Sequence, residues 1–268
     1  MTPHLKRWIT GVIAVPILFA IIVYGSEIAF AALIVAVSLL GMQEYNRMVF
    51  GTKMSGDQVQ TMVIALVILL TALTGDFRLL SAVMSFSVMA VFMLHLLRIG
   101  DLEPDMGAVG KKIVGLMYVP LLMSHFILIR KAPEGRLWIF FILVLAFAGD
   151  IAAYYVGKGL GKRKLLPHVS PGKTVEGTIG LVAGSITGCL LFRQWIFPLL
   201  PVGHAFILGL VGSVAGQLGD LCESALKRAA GVKDSGALLP GHGGILDRLD
   251  CLMFIAPFVY YYQALIIR

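Results

Sequence analysis

Long apolar runs broken by short polar stretches recur from one end of the chain to the other, near residues 8 to 24, 27 to 46, 59 to 75, 79 to 97, 113 to 129, 137 to 157, 176 to 197, 204 to 230 and 246 to 267. A helix needs about 20 mostly apolar residues to cross the hydrocarbon core of a bilayer. Membrane β-barrels instead alternate apolar and polar positions in segments of about 10 residues, and these runs are continuous. The pattern predicts an all-α integral membrane protein, a polytopic bundle of about nine transmembrane helices. The first run follows His4, Lys6 and Arg7 but precedes no small-residue cleavage site, so it reads as an uncleaved first helix and not a signal peptide.

Composition agrees: 58% of the 268 residues are hydrophobic, 14% are charged, and mean hydropathy is +0.89, outside the range of soluble domains. Lysine and arginine placement then orients the bundle. With a cytoplasmic N-terminus that side collects 16 of the 22 basic residues, and the other side holds Arg78, Arg130, Lys131, Arg136, Arg193 and Arg268. The loop carrying Arg130, Lys131 and Arg136 runs against the trend. This orientation predicts a multi-pass protein of the cell (inner) membrane with both charged motif regions facing the cytoplasm. The net charge of +7 then points to anionic lipid headgroups of the bilayer. Nucleic acid is not an expected partner, since no basic face is interleaved with aromatics. Cys189, Cys222 and Cys251 lack metal-ligand spacing and read as small apolar residues.

Polar content divides the chain near residue 148. Residues 1–148 read as scaffold helices, with Gln43, Glu44, Asn46 and His125 as their few internal polar groups. Residues 149–268 carry Asp150, Gln217, Asp220, Glu223, Lys227, Asp247 and Asp250 in or beside apolar spans, and ionisable groups there mark functional sites by default. Gly209, Gly212, Gly216 and Gly219 line one helical face and read as a packing surface for a neighbouring backbone.

The densest polar stretch is 224–250, SALKRAAGVKDSGALLPGHGGILDRLD. Asp220, Glu223 and Lys227 share a helical face over two turns, and Asp247 and Asp250 repeat the i, i+3 spacing at the head of the last span. Two acidic pairs on separate helices can converge on one point. Hard cations such as Mg²⁺ take carboxylate oxygens, commonly together with substrate phosphates. Four acids could hold one metal or two. Gly241, Gly243 and Gly244 surround His242 with backbone able to approach an anion closely.

A second polar stretch, 149–177, reads GDIAAYYVGKGLGKRKLLPHVSPGKTVEG. Asp150 and Tyr154 are one helical turn apart. Gly157, Gly159 and Gly161 interleave with Lys158, Lys162, Arg163 and Lys164 to form a segment suited to polyphosphate, although topology alone accounts for these lysines equally well. Gly172-Lys173-Thr174 fails as a P-loop, because Pro167 stands where that pattern needs glycine. Lys173 remains as a mobile point charge for phosphate.

Together the motifs resemble the phosphatidate cytidylyltransferase (CDP-diacylglycerol synthase) family. The signature is Ser224-x-Leu226-Lys227-Arg228, Lys233-Asp234, His242-Gly243-Gly244 and Asp247-Arg248-x-Asp250, with Asp150, Tyr154, Gly157, Gly161 and Ser170-Pro171-x-Lys173-Thr174 upstream. The resemblance is strong over 149–250 and rests before that on helix count and length. It implies transfer of the cytidylyl group of CTP to phosphatidic acid, with pyrophosphate leaving. It also implies metal ligation by Asp220 and Asp247 with Glu223 and Asp250 in support, and Mg²⁺, with a second metal or a monovalent cation as an open addition. Catalytic roles then fall on Asp220, Asp247, Lys227 and Asp250. Triphosphate contacts fall on Lys173, Lys227 and Arg228, further substrate contacts on Ser170, Thr174, His242, Gly243, Gly244, Arg248 and Tyr154, and either metal or nucleotide contact on Asp150. A homodimer is a further implication. Two other readings stay open: a CTP-dependent polyprenol kinase, which would release CDP, and an ion-coupled transporter.

Overall fold

Each predicted span is a continuous helical rod. The computed structural model describes residues 3–99, 105–238 and 243–267, with side chains described over 12–98 in the first stretch. The rods are α1 (Pro3–Tyr24), α2 (Glu27–Phe50), α3 (Gly56–Ala72) and α4 (Phe77–Ile99), then α5 (Met106–Leu116) running through a π-helical turn into α6 (Leu122–Lys131). They continue with α7 (Gly135–Leu160), α8 (Val175–Trp195), α9 (Val202–Ala229) and α10 (Leu246–Tyr262). Among the described residues, seven of these rods are long and apolar enough to cross a membrane, counting α5 through α6 as one. The other two apolar helices, Val12–Tyr24 and α3, are shorter.

Local chemistry explains where the ends fall. Ser55 accepts a hydrogen bond from Gln58 N at 3.3 Å and starts α3 three residues before its apolar run. Asp76 does the same for α4, accepting from Arg78 N at 2.8 Å. The π turn Met117–Leu121 surrounds Pro120, whose missing N–H breaks the α ladder without ending the rod.

The chain forms two compact units. One comprises 1–131 with 235–246, the other 132–234 with 247–268; residue 148 lies inside α7. In the first unit the few internal polar groups find one another, as burial in an apolar surrounding requires. Asn46 Nδ2 donates to Thr61 Oγ1 at 2.9 Å. Lys112 is fully buried and its ammonium donates to Asp57 at 2.9 Å, with Arg98 on the same carboxylate at 3.0 Å. Of the basic residues assigned by sequence to the lipid-facing charge, Lys112 is therefore spent inside the protein. The loop that ran against the charge trend also has a structural use. Arg130 donates to the Gly25 carbonyl at 2.8 Å and Lys131 to the Leu73 carbonyl at 2.5 Å, placing cations on helix C-terminal ends.

In the second unit, small residues let backbones approach. Gly180, Gly184 and Gly188 of α8 lie against Ala148, Ala152 and Val156 of α7, with the Ala148 carbonyl 2.7 Å from where a Cβ of residue 184 would sit. The glycine face of α9 packs as its spacing predicts. Gly209 faces the backbone of Ile186, and Gly219 faces the Asp250 carbonyl, 2.5 Å from a built Cβ. Gly219→Ala is therefore expected to push α10 from α9, costing about 1–3 kcal/mol and lowering both melting temperature and activity. Gly203→Ala, with open space around it, serves as control, and equal melting temperatures for the two variants would refute the close-packing account.

One element has no counterpart in the hydropathy pattern. Between α7 and α8 a short antiparallel hairpin, β1 (Lys164–Leu166) and β2 (Ser170–Thr174), pairs Lys164 with Thr174 and Leu166 with Ser170. Glu176 holds its base, accepting from Lys162 N at 3.0 Å and Arg163 N at 3.2 Å.

Candidate active site

The second unit carries an open cavity of about 320 Å³. One wall is the last three turns of α7, with Asp150, Tyr154, Gly157 and Lys158. The others are the end of β2 with Lys173 and Thr174, the first turn of α8, and Gln217 and Asp220 of α9. Sequence reasoning brought Asp150, Tyr154, Lys173, Thr174 and Asp220 forward as site residues, and the fold gathers all five around this one space. The helix spacing i, i+3 puts Gln217 on the same face as Asp220. Gln217 was seen in the sequence only as a polar residue in an apolar span; its position one turn before an acid was the available signal.

The carboxylates divide between two lysines. Lys173 reaches Asp220 Oδ2 at 2.5 Å, and Ser224 Oγ donates to Asp220 Oδ1 at 3.4 Å. Lys227 pairs with Glu223 one turn back on its own helix and with Asp247 Oδ1 at 2.6 Å. Glu223 is fully buried, Asp247 nearly so, and the Lys227 side chain is 12% exposed, so this triad sits in a low-dielectric place where charges interact strongly. Asp250 accepts from Cys251 N at 2.7 Å. Its carboxylate, Asp150 and Asp220 lie close enough to repel one another, and Lys173 moderates that repulsion.

These residues fit a divalent cation held jointly with phosphates. Asp150, Asp220, Glu223, Asp247 and Asp250 set five carboxylates against the three nearby cations Lys173, Lys227 and Arg248. Among the described residues, no three acid, histidine or cysteine groups already converge as a cage. Lys173 occupies an Asp220 oxygen, and Lys227 occupies oxygens of Glu223 and Asp247. Asp220 and Asp150 are the acids that border the cavity and its inner extension.

The remaining predicted residues take other places. Thr174 is buried and its Oγ1 accepts from Gly177 N at 3.0 Å, capping α8, so its oxygen is engaged by the protein. Ser170 pairs with Leu166 in the hairpin and does not border the cavity. Arg228 donates to the Val169 carbonyl at 3.3 Å and the Val232 carbonyl at 3.2 Å, tying the hairpin turn to the end of α9. Arg248 is exposed in the first turn of α10. Gly243 has φ +82°, a left-handed conformation that favours glycine. Gly244 belongs with Gly243 to the first unit, where a Cβ would overlap the Glu44 carboxylate and Ser235 Oγ. Gly241 and His242 lie outside the described residues. The cysteines are free thiols, Cys189 buried, Cys251 half-buried and Cys222 exposed.

Among the described residues, seven helices long and apolar enough to cross a membrane, with a lysine–carboxylate pair at the border of an open cavity, define the class: a polytopic helical membrane protein with a charged site. The chain belongs to the cytidylyltransferase family, whose model matches residues 5–266. It is 45% identical over 158 residues to the phosphatidate cytidylyltransferase of Bacillus subtilis, covering 59% of each protein, so it spans about three fifths of that relative's length. It is 34% identical to the phosphatidate cytidylyltransferase of a Synechocystis species over 98% of this chain and 97% of the relative. A third phosphatidate cytidylyltransferase, from Brucella melitensis, is 42% identical over 158 residues, 58% of each chain.

Proposed function

We infer that the protein transfers the cytidylyl group of CTP to phosphatidic acid, releasing pyrophosphate and CDP-diacylglycerol for phospholipid synthesis. The observation that carries this reading is the Lys173–Asp220 pair at the border of an open cavity, in a chain matched over its whole length by a cytidylyltransferase family. A phosphate monoester is already largely ionised near neutral pH, so the lipid phosphate needs little help as a nucleophile. One of its oxygens attacks the α-phosphorus of CTP in line. The bond from the α-phosphorus to the bridging oxygen breaks, and its electron pair leaves with pyrophosphate.

The residues supply charge and placement. Lys173 exchanges Asp220 for a phosphate oxygen, and Lys227 sets the positions of Glu223 and Asp247. Both lysines act as point charges that offset the negative charge accumulating toward the leaving group. Arg248 joins them at the head of α10. A Mg²⁺ ion held by Asp220 and Asp247, with Asp150 or Asp250 in support, would supply Lewis-acid neutralisation of the phosphate oxygens. The lysine and arginine distribution supports an inner-membrane protein whose site opens to the cytoplasm, where CTP is available. A homodimer, implied by family resemblance, is tested by the mass of the detergent-solubilised particle.

The test is purified protein with phosphatidic acid, Mg²⁺ and CTP labelled at the α-phosphate, wild type beside Asp247→Asn. Label entering the lipid fraction with wild type and not with the variant is the expected result. Label remaining in CMP, CDP or CTP would refute cytidylyl transfer. CDP release with a polyprenol would favour the kinase, and ion flux without nucleotide chemistry would favour the transporter.

A further inference from the structure

Glu44 sits in the C-terminal third of the second helix, 5% exposed, in a half of the chain whose sequence reads as scaffold. A carboxylate at such a place is costly unless donors surround it. Three do. Ser235 Oγ donates to Oε2 at 3.1 Å, Ile245 N to Oε1 at 3.0 Å and Leu246 N to Oε2 at 2.9 Å. The backbone closes around the same group: a Cβ at Gly236 or Gly244 would overlap the carboxylate. All these residues belong to one compact unit.

Leu246 is the first residue of α10, and Ile245 immediately precedes it. The first N–H groups of a helix have no partner within it, and a negative charge beside them is favourable. Most helices draw this cap from the preceding few residues. Here it comes from a residue 202 positions away in sequence, which also grips Ser235. Asp247 is the next residue after Leu246, in the first turn of α10.

We propose that Glu44 is a positioning residue for the catalytic carboxylate Asp247, acting by capping α10 from the second helix and fixing Ser235 and Gly236 against that cap. The assignment of an effect on catalysis rests on the cytidylyl-transfer reading above; the clamp itself does not. Glu44→Gln replaces one acceptor oxygen by a donor, so one of the three hydrogen bonds is lost while shape and volume stay. Glu44→Asp keeps the charge but draws it back by one methylene.

The experiment uses the full chain in detergent, comparing wild type, Glu44→Gln, Glu44→Asp and Glu44→Ala. It measures kcat and KM for CTP, melting temperature, and amide hydrogen exchange of the peptides covering 235–238 and 243–250. The expected result for Glu44→Gln is a kcat lowered about tenfold or more, the scale of one hydrogen bond to a charged group. KM for CTP and melting temperature should stay near wild type, exchange should rise at Ile245 and Leu246 alone, and Glu44→Asp should fall between Gln and wild type. A Glu44→Gln protein with wild-type kcat and wild-type exchange overturns the proposal. So does a fall in kcat that tracks melting temperature across all three variants, with exchange rising throughout the chain, since that is a purely structural role. If wild type transfers no cytidylyl group, the functional reading fails, and the exchange data alone decide whether the clamp exists.

Discussion

Asp220→Asn is expected to lower cytidylyl transfer by at least about a hundredfold, the scale of removing one preorganised electrostatic group from an active site, with melting temperature close to wild type. The asymmetry follows from where Asp220 sits. Its side chain is one third exposed at the cavity, and Asp150 and Asp250 remain near Lys173 when Asp220 is neutral. Asparagine keeps one oxygen for Lys173 and turns its NH₂ to the Ser224 hydroxyl, which can accept as well as donate. What disappears is negative charge at the point where phosphate and cation must be brought together with Lys173. The α-labelled CTP assay and a thermal unfolding curve on the same preparation check both halves. A variant with more than a tenth of the wild-type rate would remove Asp220 from the chemistry.

Lys227→Met should do the opposite and damage the fold first. Lys227 stands between Glu223, fully buried, and Asp247, almost so. Removing one member of a buried ion pair leaves an uncompensated charge and costs about 3–5 kcal/mol; here two carboxylates would be left facing each other. The expected outcome is a large drop in melting temperature together with loss of activity. Adding Glu223→Gln to Lys227→Met removes one of the two stranded charges and should recover a substantial part of the lost stability but none of the transfer. If the double variant melts no higher than Lys227→Met, the two residues are not coupled, and the triad is not what holds the ends of α9 and α10 together.

The two variants separate kinds of charge that look alike in the sequence. Asp220, Glu223 and Lys227 share one helical face by spacing alone, and nothing in that spacing distinguishes them. The difference arises because β2 delivers Lys173 to Asp220, whereas the first turn of α10 delivers Asp247 to Lys227. Hydropathy likewise found every rod but not its packing. In a membrane helix the lipid-facing side is as apolar as the protein-facing side, so the 3.6-residue rhythm that marks a buried face in soluble proteins is faint. The glycine face of α9 was readable because small residues mark close approach. The equivalent face of α8, Gly180, Gly184 and Gly188, carries the same mark and was not singled out. The hairpin between α7 and α8 left no hydropathy signal, since its strands are only three and five residues long.

The sequence by itself determined that this is a polytopic helical membrane protein and that its acids and lysines concentrate after residue 148, for which length, apolar run and residue spacing along one chain suffice; its motifs pointed to the cytidylyltransferase family only by resemblance to that family. Only the tertiary structure decided which lysine meets which acid, that Thr174 and Arg228 are engaged by the protein's own backbone, and that Glu44 caps the helix bearing Asp247. Those facts depend on partners up to about 200 positions apart, and a buried charge is stabilised by whatever donor folding brings beside it, wherever that donor lies in the chain.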